Sequence, residues 1–105
     1  MTTKEAVMVQ LDEVEDPELD LSIVELGLVY DVRFEEKDAG LHAEVDLTLT
    51  SPGCPAAPEI MAAAHRAALQ TEGLASVHIN LVWKPRWDPK LHASEDARMD
   101  MGIWD

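Results

Sequence analysis

From Leu28 to Thr50 apolar and polar residues alternate in two runs, separated by Lys37-Asp38-Ala39-Gly40. Successive side chains of a strand point to opposite faces. The period of two therefore places Leu28, Tyr30, Val32 and Phe34 on one side of a first strand, Leu28 to Glu36, with Val29, Asp31 and Arg33 on the other. In the return strand, Leu41 to Thr50, it turns Leu41, Ala43, Val45, Leu47 and Leu49 inward and His42, Glu44, Asp46, Thr48 and Thr50 outward. The intervening residues read as a turn. Together these features predict an antiparallel hairpin with one wet face.

The flanking segments change period. In residues 4–14, KEAVMVQLDEV, Val7, Leu11 and Val14 recur at helical spacing. Asp16-Pro17 closes that helix, because proline disfavours helical geometry in the residue before it. A short turn is expected around Ser22 to Leu26, with Gly27 breaking any helix. Residues 55–70 predict an Ala-rich helix whose Pro55 and Pro58 are tolerable only near its first turn, and Gly73 is its natural stop. A third strand, about Ser76 to Lys84, sets Val77, Ile79, Leu81 and Trp83 inward. The tail begins extended and ends in a short helix capped by Ser94, where Glu95 and Asp96 suit the positive end of the dipole. This order of elements predicts an α+β fold with helices packed on one face of the sheet.

The 105 residues fit one domain, residues 1–105. A single cysteine excludes an intrachain disulfide and hence a secreted disulfide scaffold. The N-terminus shows no basic segment followed by an apolar run, and no stretch approaches the roughly 18 apolar residues of a membrane span. A reducing cytoplasm is the expected compartment. With 21 acidic against 8 basic residues, the net charge of -13 opposes polyanions. Nucleic acid and anionic membrane are therefore excluded as expected partners. Adaptation to a salt-rich cytoplasm and an ordinary acidic surface both fit this excess.

Cys54 lies in LTLTSPGCPAAPEI, after a strand and before a helix. Free amides and the dipole at a helix start favour a thiolate, below the free value of about 8.5. Burial among apolar groups and the acidic surface would instead keep the thiol protonated, but salt screens distant charges more than local amides, so the helix end is expected to win, with a structural core cysteine as the lesser reading. Metal sites commonly group four ligands at short Cys or His spacings, and CxxC, CxH and HxxxH are absent. His65 is 65 - 54 = 11 positions along, about 16 Å of helix, too far to share an ion with Cys54. His42, His78 and His92 read as solvated side chains. A metal held by Cys54 must borrow ligands from another chain, a small thiol or nearby carboxylates. Asp16 and Glu18 could approach from the first loop, but a carboxylate beside the thiol would hinder its ionisation, and the residues alone favour Asp16-Pro17-Glu18 as a helix stop with solvated charges.

Three stretches, DPELDLSIVELGLVYDV (Asp16 to Val32), LTLTSPGCP (Leu47 to Pro55) and VWKPRWDPKLHASEDARMDMGI (Val82 to Ile103), together resemble the SufT/PaaD-like family, also called domain of unknown function 59. The likeness runs in order over almost the whole chain. It implies a cytoplasmic factor assisting the assembly of iron-sulfur clusters. It also implies a small two-layer α/β sandwich with an antiparallel or mixed three-stranded sheet, similar to the C-terminal domain of NifU-type scaffolds. By the same resemblance Cys54 is the functional thiol, a transient ligand of iron or a cluster. Asp16, Glu18, Leu19, Thr50, Ser51 and Gly53 support it. Ser51 stands where many relatives have Thr and keeps the hydroxyl; Met101 stands where Leu is usual.

Unlike the scaffold domain, this chain has no CxxC pair, which favours a carrier or transfer factor with no stable cofactor in the isolated monomer. The implied partners are iron-sulfur client apoproteins and an Mrp/ApbC-type P-loop ATPase or Suf-type assembly proteins, and the assembly state is left open to a homodimer. The chain itself has no GxxxxGK[ST]. Trp83 is expected in the core, while Trp87 and Trp104 either pack the tail or present it to a partner. Two rival roles are a PaaD-like accessory of a multicomponent aromatic-ring oxygenase and a metal-free thiol enzyme.

Overall fold

In the computed structural model, which describes residues 3–17, 19–50, 55–84 and 86–102, helix α1 (Lys4–Leu11) is followed by a two-stranded ribbon, β1 (Glu15–Asp16) and β2 (Leu21–Ser22). Next come strands β3 (Val29–Lys37) and β4 (Gly40–Leu47), helix α2 (Ala57–Leu69), strand β5 (Leu74–Leu81) and the short helices α3 (Pro89–His92) and α4 (Glu95–Asp100). The main sheet has the order β3-β4-β5. β3 and β4 form the expected antiparallel hairpin, closed between Lys37 and Gly40. β5 runs parallel to β4, so the sheet is mixed. A parallel neighbour needs a crossover, and α2 is that crossover.

Each helix starts and stops for local reasons. The Thr3 side chain accepts from the Ala6 N–H at 3.1 Å to cap α1. The Ser94 side chain does the same for the Ala97 N–H to cap α4, as expected. α2 carries Glu59 in its first turn and Arg66 in its last, both suited to its dipole. Beyond it, Gly73 takes φ 97, a left-handed conformation that a side chain disfavours. Val7 and Leu11 of α1 join Ile60, Ala64 and Ala68 of α2 over the inner face of the sheet, which contributes Val32, Ala43, Val45, Leu47, Val77 and Ile79. Fully burying a side chain the size of Val or Leu contributes about 1.5–3 kcal/mol, so this apolar layer supplies most of the driving force. The small alanines let α2 lie close to the strands.

Several expectations need correction. The hydrophobic helix pattern extends to Val14, which is buried, but α1 ends at Leu11. A register shift between Val29 and Asp31 changes the start of β3: Val29 pairs with Leu47 and packs on the core, while Tyr30 stacks against His92 with ring centroids 5.2 Å apart. An extra residue in a strand moves the side chains on either side of it to new faces. His42, expected to be solvated, is only 7 % exposed. It sits between Ser76, on the neighbouring strand, and Glu44. Trp83 lies past the end of β5 and is 40 % exposed, so it is not a core residue.

Candidate functional site

The Asp16-Pro17 break is a built turn. The Asp16 carbonyl accepts from the N–H groups of Leu19 (3.2 Å) and Asp20 (2.7 Å), and Asp16 pairs with Leu21 across the ribbon. Asp20 takes φ 56, a left-handed conformation that Asp tolerates better than most residues. Asp16 is thereby held at 1 % exposure, which corrects the reading of it as a solvated helix-stop charge. Leu19 is 38 % exposed beside it. Thr50 is half-buried three residues past the end of β4. The strand ends that precede it are held by bonds from Thr48 N–H to the Leu28 carbonyl (2.8 Å) and from Val82 N–H to the Leu47 carbonyl (2.9 Å). Glu18, Ser51, Gly53 and Cys54, together with Trp104, lie outside the described residues.

One groove runs between the first loop and α2, and neither Asp16 nor Thr50 lines it. Glu13, Val14, Glu15 and Pro17 from the first loop line it together with Glu59, Ile60 and Ala63 of α2. Pro17 is the neighbour of Asp16, and Glu59 follows Cys54 by five positions, so the Asp16 loop lies alongside the helix that follows the cysteine stretch. α2 begins at Ala57; among the described residues no side chain caps its first turn, in which Pro58 carries no N–H. The dipole and the remaining N–H groups of a helix start favour negative charge. The loop before it leaves the carboxyl end of β4, one of two parallel strands, where open α/β sheets place their ligands.

The outward face of the sheet carries a polar ladder that sequence spacing alone did not reveal. The Glu44 carboxylate meets His42 Nε2 through one oxygen. Its other oxygen meets His78 Nδ1 at 3.1 Å and accepts from the Asn80 side chain at 2.8 Å. The Asn80 and His42 bonds hold the Glu44 carboxyl well below its ordinary range, at about 2. One row along, Arg33 donates to both Asp46 oxygens at 2.6 and 2.9 Å and to Asp31 at 3.0 Å. Those bonds hold both carboxyls below their ordinary pKa and push that of the guanidinium up. Cross-strand partners at i and j±2 could have signalled this ladder once the parallel register of β5 was known. Among the described residues, no group of three or more His, Cys, Asp or Glu side chains is arranged to hold a metal ion, and no helix is long and apolar enough to cross a membrane.

The C-terminal segment folds back beside the turn that enters β3. The Trp87 indole N–H donates to the Leu26 carbonyl, and the Ser94 N–H donates to the Glu25 carbonyl at 2.7 Å. Trp87 therefore packs the tail instead of presenting it.

Residues 4–81 match the family model described as iron-sulfur cluster assembly protein. The chain is 40 % identical over 100 residues to the Fe-S protein maturation auxiliary factor YitW of Bacillus subtilis, covering 95 % of this chain and 94 % of the relative. It is 36 % identical over 88 residues to the Fe-S protein maturation auxiliary factor SufT of Staphylococcus aureus, covering 84 % of this chain and 96 % of that one. The crystal structure of a domain of unknown function 59 from Bacillus anthracis superposes with a TM-score of 0.80 at 34 % identity, over 96 % of this chain and 92 % of the other.

Proposed function

The chain belongs to the iron-sulfur cluster assembly protein family, and from that premise we propose that it is a maturation factor that takes up iron or an iron-sulfur cluster as cargo and passes it to apoproteins. The observation that carries this reading is the near full-length match to relatives named Fe-S protein maturation auxiliary factors. Cys54 is the proposed cargo ligand. Its thiol gives up a proton, the sulfur donates an electron pair to iron, and a client cysteine thiolate later displaces it by ligand exchange with no change of oxidation state. The positive end of the α2 dipole, three residues further on, supports the thiolate.

Asp16 and Glu18 are proposed to tune the site, with Leu19, Thr50, Ser51 and Gly53 shaping its edges. The buried position of Asp16 supports a fixed carboxylate over a mobile one. A single thiol leaves a cluster incompletely ligated, so the remaining ligands come from the client or donor, which suits transfer better than storage. Client apoproteins are the proposed partners, with an Mrp/ApbC-type ATPase or Suf-type proteins as the source of cargo. The proposed compartment is a reducing cytoplasm, where a lone thiol stays free.

Anaerobic reconstitution with ferrous iron and sulfide, followed by transfer to an apo iron-sulfur enzyme whose activity returns on loading, tests this reading. Wild type should speed reactivation and Cys54→Ser should not. If the two behave alike and neither delivers a cluster, the reading fails. Alkylation of Cys54 against pH should give an apparent pKa below the free-thiol value of about 8.5.

A further inference from the structure

The groove between the first loop and α2 has a shape and charge that cargo ligation does not require. Its floor is apolar: Val14 and Ile60 are buried, and Ala63 and Ala67, one helical turn apart, leave a shallow trench between them. Its rim carries the exposed carboxylates Glu13, Glu15 and Glu59, with Arg66 toward the other end of the helix. None of these four charges forms an ion pair among the described residues. The groove measures about 430 Å³, toward the smaller end of the roughly 300–1,000 Å³ typical of ligand sites. Small-molecule sites bury most of their ligand, whereas this groove lies open along the helix and suits side chains projecting from a peptide.

We propose that this groove docks a basic, apolar-anchored segment of a partner protein, with one large aliphatic side chain over Ala63 and Ala67 and flanking Lys or Arg side chains against Glu13, Glu15 and Glu59. Charge complementarity selects this occupant. Three carboxylates face one guanidinium at the rim, and the chain as a whole carries -13. An acidic surface draws a cationic partner and repels an anionic one, while the apolar floor supplies the anchor that charge alone lacks. Arg66 at the far end disfavours a uniformly cationic occupant and so sets the direction in which the segment lies. The inference deepens the maturation reading, on which it rests for taking the partner to be a client or donor: Pro17 adjoins Asp16, and α2 starts three residues after Cys54.

The test uses the full chain, labelled with 15N, and a synthetic twelve-residue peptide carrying two leucines flanked by lysines. Control peptides replace the leucines with alanine or the lysines with glutamate. Amide shifts should concentrate at Val14, Glu15, Ile60, Ala63 and Ala67, and either control should bind at least tenfold more weakly. Ala63→Trp should block the trench. The double variant Glu13→Lys/Glu59→Lys alters only exposed positions and should weaken the lysine peptide at least tenfold even where the tryptophan variant misfolds. Shifts that map to the outward face of the sheet, or equal binding of the alanine control, would overturn the proposal. Cys54→Ser should bind the peptide as wild type does. A failure of cluster transfer with peptide binding intact therefore removes the thiol role and leaves the groove, while the reverse removes the groove alone.

Discussion

The indole N–H of Trp87 donates to the backbone carbonyl of Leu26 across 2.7 Å, tying a residue near the C-terminus to the turn that enters β3. Trp87→Phe keeps most of the ring and removes the donor. A net hydrogen bond of this kind contributes about 0.5–1.5 kcal/mol, and the carbonyl left behind adds to the loss. Urea unfolding should show Trp87→Phe destabilised by about 1 kcal/mol with an unchanged slope. A change below the error of the extrapolation would mean that water replaces the indole.

The same turn makes a sharper demand at Gly27. Its φ is 75, and a Cβ there would stand 1.9 Å from the His92 carbonyl oxygen and 2.4 Å from the carbonyl carbon. Both atoms are backbone and cannot rotate away, so Gly27→Ala must push the tail off the turn. Gly102 has a similar φ of 77 with nothing within 4 Å of the added carbon. Gly102→Ala therefore bears only the conformational cost, about 1–2 kcal/mol at most. Thermal melts should place Gly27→Ala well below Gly102→Ala, and Gly27→Ala should also quicken hydrogen exchange at the Ser94 amide. Equal melting points would show that the tail yields without loss.

The hairpin was legible because two runs of period two and one turn determine it locally. The existence of α2, expected over 55–70 and found at Ala57–Leu69, and the Ser94 cap were legible for the same reason. What escaped the sequence depends on partners far along the chain. The burial of His42 is set by Ser76, 34 positions away, and by the parallel register that brings β5 alongside. The exchange of Val29 for Tyr30 in the core follows from one irregular residue, which alternation has no means to register. At the candidate site, the motif named Asp16 but not its burial. That burial arises from a turn in which Asp20 adopts a left-handed conformation, and charged residues in a row otherwise read as solvent-facing. Cys54, Glu18, Ser51 and Gly53 rest on the resemblance alone, since they fall outside the described residues.

Glu44 should make the sheet acid-sensitive. Asn80, His42 and His78 hold its carboxyl at about 2 against an ordinary 4.5, and its own negative charge opposes ionisation of Asp46 one row along. A depressed carboxyl stabilises the fold above its unfolded value and loses that contribution as pH falls through the folded one. The stability advantage of wild type over Glu44→Gln should therefore be full at pH 6 and shrink between about pH 4.5 and 2. Salt should reduce it, because the ladder faces water. A difference between the two proteins that does not change from pH 6 to 2.5 would show that the bonds serve the amide equally well.

Thr48 sits two residues before Thr50, fully buried, and its hydroxyl has no hydrogen-bond partner among the described residues. A buried hydroxyl left unpaired loses its hydration without return, so Thr48→Val exchanges a cost for a methyl group of nearly the same shape. Chemical unfolding should find the variant as stable as wild type or more stable by up to about 1 kcal/mol. A loss beyond about 1 kcal/mol would mean that the hydroxyl is satisfied in solution. If Thr48→Val gains stability yet reactivates the apo enzyme more slowly, the unpaired hydroxyl belongs to the cargo path. A stabilised variant with unchanged transfer would confine Thr48 to packing and leave transfer to the residues nearer Cys54.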